Sequence, residues 1–125
     1  MHKKQINALS FDIEDWYHIC GTDSVLPIER WKEYESRVEI NTQKLLSILD
    51  EYNTKATFFM LGWIAENYPS LTKKIFEKGH ELATHGYDHS LVYNQTPEQF
   101  KKGLKKAINS IEKITGKPVI GYRAP

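Results

Sequence analysis

Short apolar runs rich in β-branched and aromatic residues alternate along this chain with longer stretches of helical periodicity. That alternation limits the fold more than any other feature. Ile6 to Phe11 reads as a first strand, Ala56 to Leu61 as a second, His80 to Thr84 as a third and Val119 to Tyr122 as a fourth. Asn41 or Thr42 can cap a first helix to about Tyr52, with Leu45, Leu46, Leu49 and Tyr52 on one face. Trp63 to Lys78 reads as helical, broken at Pro69, with Gly79 as a left-handed stop. Thr96-Pro97-Glu98-Gln99 is a capping box with proline in the first turn. Phe100, Leu104, Ala107, Ile108 and Ile111 follow as a buried stripe, and Gly116 ends that helix. Alternating strands and helices require a parallel sheet with right-handed crossovers, an α/β class.

Parallel sheets of this kind carry their sites at the C-terminal edge. Asp12, Glu14 and Asp15 follow the first strand, His85 and His89 the third, and Arg123 the fourth. A lone pair of histidines four apart is weak evidence, since chance gives it often. Here the pair comes directly after a strand, Gly86 permits a tight turn, and one helical turn puts both rings on one side. Two imidazoles and a carboxylate are a common protein ligand set for a catalytic divalent metal such as zinc. Crowded acids at Asp12, Glu14 and Asp15 repel one another, and a cation relieves that. One should bind the metal and one should act as base; Glu14 and Asp15 remain alternatives for the ligand. Arg123 can pair with Asp12 and fix its orientation. Trp16 and Tyr17, beside the acids, can offer ring faces to a sugar. Cys20 reads as a small buried residue more readily than a zinc ligand. His18 is a weaker ligand candidate, and His80, ahead of its strand, should face away.

The rest of the chain narrows the class. Its 125 residues suffice for one domain with a core, and the net charge of +1 argues against a nucleic-acid surface. Lys101, Lys102, Lys105 and Lys106 read as a solvated helix face. No run has signal-peptide or membrane-spanning character, and Cys20 alone cannot form an internal disulfide. These signs favour the cytoplasm. The chain stops just after the fourth strand, which suggests that 1–125 is the N-terminal side of a larger catalytic domain. Four strands would leave open sheet edges, which self-association could cover.

Together these segments resemble the polysaccharide deacetylase family, carbohydrate esterase family four. Phe11-Asp12-Ile13-Glu14-Asp15-Trp16 looks like a variant of its first motif, usually Thr-Phe-Asp-Asp-Gly, and the variant resembles a branch linked to exopolysaccharide synthesis. Thr84-His85-Gly86-Tyr87-Asp88-His89 is similar to the second motif, and Arg123-Ala124-Pro125 to the start of the third. The resemblance implies the first half of a distorted (β/α) barrel of about seven strands. It also implies metal-dependent removal of N-acetyl groups from an amino-sugar polysaccharide, with Asp12 as base and Arg123 supporting it. Metal ligands would come from His85, His89 and one of the two acids, and Trp16, Tyr17 and Pro125 would meet substrate. The general acid would lie beyond Pro125. A related C–N hydrolase acting on a cyclic imide or ureide, or a non-catalytic metal- or carbohydrate-binding module, are the competing readings.

Overall fold

The computed structural model describes residues 5–125. Its centre is a parallel sheet of β1 (Ser10–Ile13), β2 (Thr57–Met60) and β3 (Glu81–Thr84), in that spatial order. Phe11 pairs with Phe58, which pairs in turn with Leu82, so the register is even across the sheet. Strand order follows chain order without reversal. That is the singly wound arrangement of (β/α) barrels, whereas doubly wound sheets reverse at a switch point.

Each crossover is helical. α1 (Val38–Glu51) joins β1 to β2, α2 (Gly62–Asn67) and α3 (Pro69–Glu77) join β2 to β3, and α4 (Pro97–Thr115) follows β3. The predicted break at Pro69 is real: the chain leaves helical geometry at Tyr68, and Pro69 opens α3, where its missing N–H costs nothing. Gly79 is left-handed at φ 79°, as a helix stop requires. The Thr96 capping box is formed in full, and Gly116 closes α4 at φ 66°. No helix among the described residues is long and apolar enough to cross a membrane.

The core lies between the sheet and these helices. Phe58, Met60, Leu61, Ile64, Ile75 and Ile111 are fully buried there. Gly62 permits a close approach: a Cβ built on it would lie 2.6 Å from Ala107 Cα and 2.7 Å from Tyr87 Cδ2. No side chain larger than hydrogen fits without movement, so α2 packs directly on α4.

Four expectations need correction. β1 starts later than expected, and Ile6 is exposed, because only Ser10 onward pairs with β2. α1 starts at Val38, before Asn41 and Thr42, and Thr42 is a buried helix residue that caps nothing. Tyr52 is exposed and leaves the buried face to Leu46 and Leu49. The fourth strand is reduced to one parallel bridge between Thr84 and Tyr122, with Ile120 exposed. That bridge still aligns the chain, since Thr84 N donates to Gly121 O and Arg123 N to Thr84 O.

Candidate metal centre

β1, β3 and the Tyr122 bridge all point the same way, so their ends deliver side chains to one edge of the sheet. His85 follows β3 and is 3% exposed. Its Nδ1 lies 2.8 Å from the carbonyl oxygen of Arg123. A carbonyl only accepts, so a proton sits on Nδ1, and Nε2 is the nitrogen left to offer a lone pair to an ion. His89 follows four residues later in an irregular loop: the expected helical turn does not form, and left-handed Gly86 (φ 81°) and His89 (φ 63°) bend the chain instead. The two rings meet edge to face with centroids 5.0 Å apart.

Glu14 approaches from the end of β1. Its Oε2 lies 2.9 Å from His89 Nε2. Ligand atoms of Glu14, His85 and His89 all fall within 4.8 Å of one another. Burial works to raise the Glu14 pKa, but the hydrogen bond from His89 and the pull of that imidazole's positive charge lead the effects that outweigh it, so the net shift is downward. An anionic oxygen among imidazole nitrogens is the donor set that a divalent ion takes, and these residues fit one.

Asp12 stands beside this group without joining it. Arg123 Nη1 donates to its Oδ1 at 2.6 Å, and its Oδ2 lies 4.0 Å from His85 Nε2. Arg123 is itself fixed by a bond from Nη2 to Ser10 Oγ (2.6 Å) and by its position 4.0 Å over the Phe59 ring. One Asp12 oxygen is therefore tethered and the other is turned toward the histidines.

Asp15, the alternative ligand in the sequence, is engaged elsewhere. It is 6% exposed. Its Oδ2 accepts from Ser36 Oγ (2.7 Å), Arg37 N (2.9 Å) and Val38 N (3.1 Å), and its Oδ1 from Trp16 N (3.0 Å). It caps the first turn of α1 from 22 residues upstream. Ser36-x-x-Glu39 has capping-box spacing, but no box forms: the N-cap is Arg37 and the Ser36 hydroxyl is given to Asp15.

Tyr17 is also misplaced by the sequence reading. At 1% exposure it belongs to a core aromatic cluster with Trp31, Tyr34 and Trp63 and offers no face to a sugar. Trp16 remains accessible, packed on Tyr34 with its indole N–H on Glu35 O. It lines a cavity of about 360 Å³ shared with Asp12 and Glu14. On the other side of the group, His89 and Pro125 line an open cleft of about 730 Å³. His18 is buried among Trp31, Trp63 and Tyr17; its Nδ1 accepts from Asp15 N, and burial lowers its pKa to about 4. His80 faces away as expected, with its ring on Phe58 and its Nδ1 accepting from Ala56 N.

The polysaccharide deacetylase family model matches residues 2–125. The chain belongs to the polysaccharide deacetylase family. A peptidoglycan-N-acetylmuramic acid deacetylase, PdaA, of Bacillus subtilis (strain 168) is 30% identical over 122 residues, covering 98% of this chain and 45% of that protein. A Mycobacterium smegmatis crystal structure assigned to a polysaccharide deacetylase aligns at TM-score 0.78 and 28% identity, over 94% of this chain and 42% of that one. A carbohydrate esterase family 4 pseudoenzyme from Bacillus anthracis aligns at TM-score 0.72 and 20% identity, over 94% of this chain and 34% of that one, a likeness of fold alone. The chain spans less than half the length of the curated deacetylase relatives that it matches. With a pseudoenzyme sharing the fold, the question of activity passes to the site residues.

Proposed function

We propose that this chain supplies the metal ligands and the base of an N-deacetylase acting on an amino-sugar polysaccharide. The observation that carries the proposal is the convergence of Glu14, His85 and His89 within 4.8 Å, with the free oxygen of Asp12 turned toward them. Glu14, His85 and His89 hold a divalent ion, zinc by the chemistry of two imidazoles and one carboxylate. When bound, such an ion acts as a Lewis acid toward an amide carbonyl and a hydrolytic water.

The chain's own residues do the rest. Asp12 Oδ2 is the only oxygen of that carboxylate free to take a proton from an attacking water, because Oδ1 is held by Arg123. His85 presents Nε2 because the Arg123 carbonyl occupies its Nδ1 proton. One arginine thus orients the base through its side chain and a ligand through its backbone. Cavities on both sides of the group leave room for a chain-like substrate, with Trp16 at one and Pro125 at the other. The relatives are named for peptidoglycan and chitooligosaccharide deacetylation, which supports an N-acetylated glycan as substrate class.

The test is acetate release from an N-acetylated oligosaccharide by the intact protein and its Asp12→Asn variant. The proposal expects activity in the parent and a loss of about 10²–10⁴-fold in the variant with metal retained. Metal bound by the parent without any hydrolysis would instead select a non-catalytic binding role.

A further inference from the structure

We propose that Cys20 is a positioning residue for His89, holding its ring so that Nε2 faces the metal. The inference rests on the metal reading above. Cys20 Sγ lies 3.0 Å from His89 Nδ1 and 4.0 Å from the His89 carbonyl oxygen. The opposite ring nitrogen, Nε2, faces Glu14 Oε2 at 2.9 Å. The thiol therefore contacts the side of the ring turned away from the candidate ligand atoms, and it is not among the three residues whose ligand atoms converge.

A metal-binding imidazole needs a lone pair on one nitrogen and a partner for the other. His85 has a carbonyl there, which only accepts and so allows a single tautomer. His89 has a thiol, which can donate or accept. While His89 Nε2–H donates to Glu14, Nδ1 accepts the Cys20 S–H. Once Nε2 gives its lone pair to an ion, Nδ1–H donates to the sulfur. Cys20 is thus compatible with the empty and the filled site, and it keeps the ring in one orientation through both. The contact also ties the segment that runs on from Glu14 and Asp15 to the loop after β3 that carries His89.

The experiment compares the protein with its Cys20→Ser and Cys20→Ala variants. Zinc affinity is read by competition with a chromophoric chelator, and the Co(II)-substituted proteins by absorption. Serine keeps a group that can donate or accept; alanine removes it. Cys20→Ala should bind zinc about 10-fold more weakly, and Cys20→Ser should stay within about threefold of the parent. The Co(II) spectrum of the parent should lack a thiolate charge-transfer band. Equal affinity in the parent and Cys20→Ala would overturn the positioning role and leave the metal site intact. A thiolate band in the parent that disappears in Cys20→Ser would make Cys20 a ligand and overturn it too. Failure of the parent to bind zinc would remove the metal reading itself and this inference with it.

Discussion

Replacing Asp15 separates a structural carboxylate from a metal-binding one. Asp15→Ala deletes the acceptor of four hydrogen bonds and leaves the N–H groups of Arg37 and Val38 without their partner at the start of α1. Bonds to a charged group contribute about 1.5–3 kcal/mol each, but those sharing one oxygen are not additive. A lost N-cap costs about 1–2 kcal/mol. The combined loss should be about 3 kcal/mol, a large share of the 5–15 kcal/mol typical of a domain, and lower Tm by roughly 10 °C. Asp15→Asn can keep one oxygen on the three donors and turn its amide toward Trp16 N, so its loss should be about half as large. Urea unfolding followed by circular dichroism gives the stability, and calorimetric titration with zinc gives the stoichiometry. Folded Asp15→Asn should still bind one zinc per chain. A stability loss below about 1 kcal/mol in Asp15→Ala, or loss of zinc from folded Asp15→Asn, would refute the reasoning.

Three further outcomes follow from the geometry. His18 is neutral in the fold, with its pKa lowered by burial from 6.5 to about 4, so between those values the unfolded chain binds the extra proton. Its contribution, about 3 kcal/mol, is complete above pH 6.5 and lost as pH falls toward 4; urea midpoints across that window should show the slope, and His18→Gln should flatten it. Gly62→Ala should destabilise by about 1–3 kcal/mol, because the added methyl meets Ala107 and Tyr87 below 3 Å; an unchanged Tm would show that α2 and α4 can separate freely. Arg123→Lys keeps a charge but loses the two-pronged grip on Asp12 and Ser10, and should cut deacetylation by about 10-fold or more with zinc affinity little changed. Equal turnover would mean that Asp12 needs no such hold.

Much of this arrangement is legible in the amino-acid sequence alone. The helix stops at Gly79 and Gly116, the break at Pro69 and the capping box at Thr96 are local rules, satisfied within a turn of the chain. His85 and His89 could be paired because they are close in sequence after one strand, although a loop with two left-handed residues joins them where a helical turn was expected. Asp15 could not be assigned that way. Its partners lie 21 to 23 residues downstream, and nothing in a four-residue acidic cluster says which carboxylate turns into the core. Tyr17 failed for the same reason: its neighbours Trp31 and Trp63 are remote in sequence, so burial was invisible. The contact between Cys20 and His89 spans 69 residues and has no motif. The fourth segment is apolar in sequence, but pairing depends on a neighbour, and its pairing with β3 is reduced to the bridge at Tyr122 with its bonds to Gly121 and Arg123.

Zinc titration of the parent protein and of Glu14→Gln, His85→Ala and His89→Ala tests the central claim most directly. Calorimetry on metal-stripped samples, with circular dichroism to verify folding, gives the stoichiometry for each. The geometry predicts one zinc per chain in the parent and affinity weakened by at least about 10-fold in every variant, Glu14→Gln included. A parent that takes up no zinc, or variants that bind it as tightly as the parent, would contradict a metal centre built from Glu14, His85 and His89.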